Sequence, residues 1–191
     1  MQRAVSTISD DHILSLLQKE ATYEEGFKLL VNKYQERLYW HIRRLVTEHD
    51  DANDVIQNSL IKIYRNIAKF ENKSKLYTWL YRIATNESLS FLKKKKRKAT
   101  SSIDDENLGL NRPLTADTYF DGDDIQRKLK AAINTLPEKQ RVVFNMRYYD
   151  ALSYQDISDI LSTSVGALKA SYHHAAKKIE QHLRAHSEEN Q

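Results

Sequence analysis

The sequence has no cysteine and few of the residues that make tight turns. The absence of cysteine from all 191 residues excludes disulfides, thiol catalysis and cysteine–zinc sites. Four glycines and two prolines are too few for an all-β fold with many tight turns, or for a glycine-rich phosphate loop. No stretch approaches 18 uncharged apolar residues, so the sequence predicts no membrane span. The first ten residues lack the apolar core of a signal peptide, and we expect a cytoplasmic protein.

The net charge of +4 is unevenly distributed along the chain. Residues 23–98 hold 17 basic and 9 acidic side chains, and residues 124–185 hold ten and six. Between them, residues 99–123 hold one basic and six acidic side chains. This middle segment is rich in Ser, Thr, Asp and Asn and lacks a sustained apolar period. The pattern predicts two domains, residues 1–98 and 124–191, joined by a flexible acidic linker over 99–123.

Apolar residues recur at spacings of three and four in both domains, which is the period of a helix. In the first domain three such stretches follow one another, over residues 29–45, 55–67 and 76–91. The expected N-caps of the second and third helices are Asp50 or Asp51, and Ser74. No segment alternates with period two for long enough to form a strand. The sequence therefore predicts an all-α fold made of two small helical domains.

The second domain contains a short helix, a tight turn and a longer helix. Ser153 is expected to cap the short helix over 154–161, and Ser164 to cap the longer one. Pro137 is expected at the first position of the preceding helix. Such a pair is typical of a helix-turn-helix, whose second helix enters the DNA major groove. The outward residues of that helix include no acid from Val165 to Ile179. An amphipathic hairpin with a solvated basic face would show the same pattern.

Aromatic and basic side chains are crowded together in residues 64–98. Aromatic rings stack on unpaired bases for roughly 1–3 kcal/mol each, and basic side chains hold the backbone. The mixture favours binding to a single-stranded or unwinding nucleic acid. Some of these aromatics, Trp79 among them, are expected in the core instead, and the basic run at 93–98 is equally explained by a solvated helix end.

Residues that would support catalysis or a metal site are scarce. No HExxH motif is present, and His173 and His174 are adjacent and so point to different sides of a helix. His182 and His186 are four residues apart, but a catalytic zinc needs further positioned ligands. We therefore expect no catalytic residue, no metal and no cofactor.

Three stretches of the chain resemble the bacterial RNA polymerase sigma factors of the extracytoplasmic-function (ECF) group. They are DDANDVIQNSLIKIYRNIAKF at 50–70, SKLYTWLYRIATNE at 74–87 and INTLPEKQRVVFNMRYYDALSYQDISDILSTSVGALKASYHHAAKKI at 133–179. The resemblance covers nearly all of residues 23–183. It implies a non-catalytic subunit that binds core RNA polymerase, directs it to promoters through −10 and −35 elements and promotes DNA melting.

The resemblance also assigns roles to individual residues. In region 2, the residues implied to bind the single-stranded −10 element are Phe70, Glu71, Asn72, Lys73, Ser74, Lys75, Arg82 and Asn86. Those implied to dock on the β′ clamp helices of core polymerase are Asp51, Asp54, Gln57 and Asn58. In region 4, which would also bind the β flap, those implied to contact the duplex −35 element are Ser164, Lys169, Ala170, Ser171, His173, His174 and Lys177. An anti-sigma factor is a further partner that the resemblance allows.

The sequence departs from the family pattern at four of these or neighbouring positions. Ser171 and His174 stand where arginine is frequent, which suggests a weaker contact with the −35 element. Ser162 stands where the turn often has glycine, and Asn58 stands where an acidic residue is common. The departure at Asn58 implies a rearranged contact with the clamp helices.

Two other classes of function remain open on the sequence alone. A free-standing repressor or activator would bind duplex DNA tightly without polymerase. A small enzyme acting on nucleic acid would turn over substrate without polymerase, although no catalytic constellation is present.

Overall fold

A computed structural model describes residues 8–101 and 124–188 of the chain. Over these residues the fold is all-α and contains no strand, as predicted. The helices are α1 (Asp10–Leu17), α2 (Tyr23–Val46), α3 (His49–Asn66), α4 (Leu76–Ser101), α5 (Asp124–Asn134), α6 (Glu138–Tyr148), α7 (Tyr154–Leu161) and α8 (Val165–Glu188). Two short 3-10 turns lie at Glu20–Thr22 and Ile67–Lys69. Most of the predicted linker, residues 102–123, lies outside the described residues.

The first domain is a bundle in which α2 packs against α1, α3 and α4. Its apolar face supplies Leu30, Leu38 and Ile42, each fully buried, as the spacing of three and four predicts. Helix α1 was not indicated by that spacing. It is capped by Ser9, whose side chain accepts a hydrogen bond from the His12 amide, and its Ile13 is fully buried. The bundle therefore begins earlier in the chain than the periodicity suggests.

Three predicted helix starts were wrong by one or a few residues. Helix α3 begins at His49 with Glu48 as its N-cap, so Asp50 and Asp51 lie in its first turn, where they still complement the helix dipole. Helix α4 begins at Leu76, and its first hydrogen bond runs from the Trp79 amide to the Lys75 carbonyl, one residue after Ser74. Pro137 is the N-cap of α6 rather than its first residue, with φ −53° and ψ 143°. Each predicted capping residue lies within a few positions of a helix start. The type of its side chain alone does not define the residue at which the helix begins.

The helix-turn-helix start signals are confirmed. The Ser153 hydroxyl accepts from the Asp156 amide while the Asp156 carboxylate accepts from the Ser153 amide, which is a complete capping box. The Ser164 hydroxyl accepts from the Ala167 amide at 3.3 Å. Between the two helices, Ser162 adopts a left-handed conformation with φ 52° and ψ 45°. Glycine adopts that conformation without strain, which accounts for its frequency at this turn.

The two domains pack directly against each other, which the sequence did not indicate. Helix α7 lies against α4, and α6 lies against α2. Leu152, Ile157 and Ile160 of the second domain are buried in the same apolar cluster as Leu80 and Ala84 of α4. A second, smaller cluster holds α5, α6 and α8 together. In the described residues the two domains therefore share an interface and are not separated from each other.

Candidate nucleic-acid interface

One face of α4 carries several of the residues predicted to bind single-stranded DNA. Lys75, Trp79, Arg82 and Asn86 follow one another at spacings of four, three and four, which places them in one stripe along the helix. Lys75 and Asn86 are exposed, and Trp79 and Arg82 are half-buried. A helix turns this spacing into a row of a cation, an aromatic ring, a guanidinium and an amide. We name it the α4 stripe.

The loop before α4 borders this stripe. Phe70 is half-buried, and its ring centroid lies 5.5 Å from that of Trp79, so the predicted stacking residue joins the α4 stripe through an aromatic pair. Glu71, Asn72 and Lys73 are exposed, and Lys73 pairs with Glu71. Asn72 has φ 54°, a left-handed conformation that asparagine tolerates better than most residues. Half-buried Ser74 completes the loop, which presents polar groups next to the two rings.

A second surface lies on the outer face of α8. The exposed residues there are Ser164, Gly166, Ala167, Lys169, Ala170, His173, His174, Lys177 and Lys178. Small residues near the N-terminus of the helix leave room for close approach, and the cations follow along its length. The Lys169 ammonium lies 6.0 Å from the centre of the Tyr154 ring of α7. Ser171 differs from the rest of the predicted set because it is half-buried, at the edge of the face that packs on the core.

The outer face of α3 forms a third surface. Asp54, Gln57 and Asn58 are exposed, as the predicted protein-docking role requires. Asp51 is set back, because its carboxylate binds the Lys95 ammonium of α4 at 2.6 Å. Ile61 continues the row one turn beyond Gln57 and is 48% exposed. Ile61 was not among the predicted docking residues, although its spacing from the buried Ile56 and Ile63 already places it on the outer face of α3.

Electrostatic contacts join the first of these surfaces to the helix-turn-helix. The Lys75 ammonium lies 3.6 Å from the Asp156 carboxylate of α7 and donates to the Tyr77 hydroxyl at 3.3 Å. The hydrogen bond with Tyr77 and the charge of Asp156 raise the pKa of Lys75. Burial would raise the pKa of Asp156, but hydrogen bonds from Ser153 and Tyr77 and the nearby Lys75 charge outweigh it and lower that pKa. Both groups are therefore held in their charged forms.

Nothing in the described part of the chain indicates a metal centre or a membrane span. No group of three His, Cys, Asp or Glu side chains in residues 8–101 and 124–188 is placed to hold a metal ion. Within the same residues, no helix has the length and hydropathy needed to cross a bilayer.

Both domains match known protein families. Residues 30–98 match the model of Sigma-70 region 2, which contains the α3 surface and the α4 stripe. Residues 126–179 match the model of Sigma-70, region 4, which contains the helix-turn-helix. The ECF RNA polymerase sigma-E factor of Haemophilus influenzae is 32% identical over 165 residues, covering 82% of this chain and 87% of that one. The chain belongs to the ECF sigma factors.

Other relatives extend the comparison to solved structures. The ECF RNA polymerase sigma factor SigW of Bacillus subtilis is 30% identical, covering 84% of this chain and 90% of that one. The sigma factor RpoE of Bartonella quintana, solved in complex with the anti-sigma factor NepR, superposes with a TM-score of 0.69 at 25% identity, covering 84% of this chain and 98% of that one. CnrH, solved with the cytosolic domain of CnrY, shares the fold with a TM-score of 0.68 at 17% identity, covering 92% of this chain and 97% of that one. This ECF sigma factor is therefore a promoter-specific subunit for RNA polymerase, of a family whose members are not catalytic.

Proposed function

We propose that this sigma factor binds core RNA polymerase through α3, reads the −35 element with α8, and opens the −10 element with the α4 stripe and the Phe70 loop. The observation that carries the proposal is the placement of Phe70 beside Trp79, next to Lys75, Arg82 and Asn86. A flipped base needs an aromatic face to stack on and amide or backbone partners for its edge, while cations hold the strand. This small area of the fold supplies all three kinds of group.

Melting at the α4 stripe would need no nucleotide hydrolysis. Unstacking a base costs a few kcal/mol, and capturing it on an aromatic ring returns roughly 1–3 kcal/mol. We expect Phe70→Ala combined with Asn86→Ala to reduce open-complex formation by about 5- to 100-fold, from the loss of one stacked base and its amide contact. Permanganate reactivity of promoter thymines, with core polymerase present, measures the open complex.

Measuring the affinity of the double variant for core polymerase distinguishes a defect in promoter opening from a general loss of function. The double variant should bind core polymerase as tightly as the wild type, because Phe70 and Asn86 lie outside the α3 surface. Asn66→Ala, an exposed asparagine at the end of α3, is the matched substitution that should leave opening unchanged. Normal promoter opening by the double variant would refute the assignment of the base pocket.

The α3 surface has its own test. Ile61→Asp places a charge in the centre of the proposed contact with the β′ clamp helices, and burying a half-exposed isoleucine is worth about 1 kcal/mol or more. We expect at least about a fivefold weaker affinity for core polymerase, measured by fluorescence anisotropy. Ile125→Asp is the matched control, since Ile125 is 69% exposed on α5. Equal effects of the two substitutions would show that α3 is not the docking face.

The proposed roles of the surfaces assign a function to each part of the chain. We propose region 2 over residues 1–98, the acidic linker over 99–123 and region 4 over 124–191, with action in the bacterial cytoplasm beside the polymerase and with promoter DNA and core polymerase as partners. RpoE of Bartonella quintana was solved with the anti-sigma factor NepR, and CnrH with the cytosolic domain of CnrY. An anti-sigma factor is accordingly a proposed third partner. In-vitro transcription with core polymerase over fragmented source DNA tests the whole proposal, and the absence of any promoter-specific transcript would refute it.

A further inference from the structure

A cavity of about 300 Å³ lies between the end of α2 and the helices α5 and α6. Its wall includes Arg44 of α2, Lys130 of α5 and Asn145 of α6. The volume is at the lower end of the range for cavities that enclose one small molecule. None of the described residues that line it belongs to the α4 stripe, the outer face of α3 or the outer face of α8, so the proposed function gives the cavity no role.

The wall of the cavity is basic. No acidic side chain of the described residues lines it, and its cations are Arg43, Arg44, Arg127 and Lys130. Arg44 donates to the Asp150 carboxylate at 2.7 Å, and Arg127 donates to Asp124 at 3.3 Å. A guanidinium carries five N–H donors, so each of these arginines keeps donors for a second anion. The wall therefore favours a ligand with a phosphate or carboxylate group.

Two tyrosine rings form an aromatic part of the wall. Tyr148 is 53% exposed and Tyr149 is 40% exposed, and their ring centroids lie 4.9 Å apart with the rings perpendicular. The Arg44 guanidinium lies 4.6 Å from the centre of the Tyr149 ring. Exposed aromatic rings and a flat guanidinium both offer stacking surfaces to a planar ligand. The wall thus favours an anion that also carries an aromatic ring.

The Asn145 side chain, which is 1% exposed, supplies the most specific feature of the wall. Its Nδ2 donates to the Arg44 carbonyl oxygen at 3.3 Å, and because a carbonyl can only accept, this contact fixes the orientation of the amide. The Oδ1 atom is buried and has no hydrogen-bond partner within the described residues. Such acceptors are rare in folded proteins, because nothing compensates for their lost hydration. A ligand in the cavity that donates an N–H would pair this oxygen.

These features match one class of small molecule. Cations, exposed rings and an unpaired oxygen call for an anionic group, a planar ring and an N–H donor in the ligand. A purine nucleoside monophosphate combines all three, because its base stacks, the base edge donates an N–H, and the phosphate binds arginine and lysine. A single nucleotide suits a cavity of this volume, whereas a polynucleotide extends beyond it.

We propose that this cavity is a binding site for a purine nucleoside monophosphate. The cations of α2 and α5 hold the phosphate, Tyr148 stacks on the base, and the Asn145 Oδ1 accepts a hydrogen bond from the base edge. The site is separate from the surfaces that the proposed function assigns to DNA and polymerase.

Isothermal titration calorimetry of the full-length chain with GMP tests the proposal. Ribose 5-phosphate and guanosine are the matched probes, because the first lacks the base and the second lacks the phosphate. We expect GMP to saturate one site with a Kd below about 1 mM, and each partial molecule to bind at least about tenfold more weakly. Absence of saturable GMP binding up to about 1 mM would overturn the proposal. Equal affinity for ribose 5-phosphate would also overturn it, because the cavity would then select only for an anion.

Substitutions in the wall locate the bound nucleotide. Arg127→Ala removes a cation of the wall, so the affinity for GMP should fall about tenfold. Arg184→Ala is the matched control, because Arg184 is also exposed and paired with an acid of its own helix but lies outside the wall. Equal effects of these two substitutions would overturn the assignment to the cavity.

The contact with the base has a test of its own. Asn145→Ala should weaken GMP binding about fivefold or more and leave the affinity for ribose 5-phosphate unchanged, since only the base contacts the amide. Equal losses for the two probes would contradict the contact between Asn145 and the base. If circular dichroism shows that Asn145→Ala has unfolded, Tyr148→Ala at its exposed position decides by the same comparison.

The α4 stripe provides the last control, because it too is proposed to bind a base. Phe70→Ala combined with Asn86→Ala should bind GMP as tightly as the wild type. Loss of GMP binding in that double variant but not in Arg127→Ala would place the nucleotide on the α4 stripe and overturn the cavity site. Promoter opening is not measured in these titrations, so failure of the cavity site leaves the proposed function intact.

Discussion

The turn of the helix-turn-helix offers a stability prediction that can be worked from its backbone angles. Ser162 has φ 52° and ψ 45°, and its exposed side chain makes no hydrogen bond within the described residues. A left-handed conformation costs an L-residue roughly 1–2 kcal/mol, which glycine avoids. Glycine in turn loses about 0.5–1 kcal/mol more conformational entropy on folding. Ser162→Gly should therefore stabilise the protein by about 0.5–1 kcal/mol.

The predicted gain is large enough to measure by thermal denaturation. For a chain of this size, 1 kcal/mol shifts Tm by about 2–4 °C, so we expect Ser162→Gly to raise Tm by roughly 1–4 °C in circular dichroism. The same kind of substitution should have the opposite sign inside a helix. Ala170→Gly, at an exposed position of α8, should cost about 1 kcal/mol and lower Tm by a few degrees. A lower Tm for Ser162→Gly, or shifts of the same sign for both variants, would refute the reasoning.

Three further predictions test the core, the capping box and the reading helix. Leu38 is fully buried in the first domain, and Leu38→Ala should cost about 2–5 kcal/mol in urea unfolding; a cost under about 1 kcal/mol would contradict the described packing. The pKa of Asp156 is lowered in the folded state, so its carboxylate contributes stability above its ordinary pKa near 3.8, and that contribution is lost as the pH falls. Asp156→Asn should therefore lose stability at pH 6 and show a flatter decline towards pH 3 than the wild type; parallel profiles would contradict it. Lys169→Ala should reduce the salt dependence of holoenzyme binding to promoter DNA by about one unit of slope, with Lys28→Ala on α2 as the control. An unchanged slope for Lys169→Ala would exclude a phosphate contact there.

The helices were predictable because their causes are local. The period of Leu30, Leu38 and Ile42 follows from the geometry of one helix, and the Ser153 cap involves groups only three residues apart. Exact starts were less predictable. Glu48, Lys75 and Pro137 precede their helices without a side-chain cap of the favoured kind, so backbone conformation and packing decided where those helices begin.

In the candidate surfaces, too, some residues are predictable from local spacing and others depend on packing. The spacing from Lys75 to Asn86 can be read from the sequence. Because a helix repeats every 3.6 residues, this spacing places the side chains of the α4 stripe on one face. Ile61 lies five residues after the buried Ile56 and two before the buried Ile63, so the helical period itself places it on the outer face, where it is 48% exposed. By contrast, Ser171 matches the pattern of a reading helix, yet its position at the edge of the packed face removes it from the exposed set.

The sequence by itself determined the helical fold, the helix-turn-helix and the absence of cysteine chemistry, because residue type and spacing within one segment are enough for each. Only the tertiary structure decided how the domains meet. His41 and Asp150 are 109 residues apart, and no local period relates a buried histidine in α2 to an aspartate in a turn. A salt bridge of that kind depends on where two folded surfaces come together, which is a property of the whole chain. The acid that looks like an ordinary turn residue in the sequence thereby becomes part of the buried contact between the two domains.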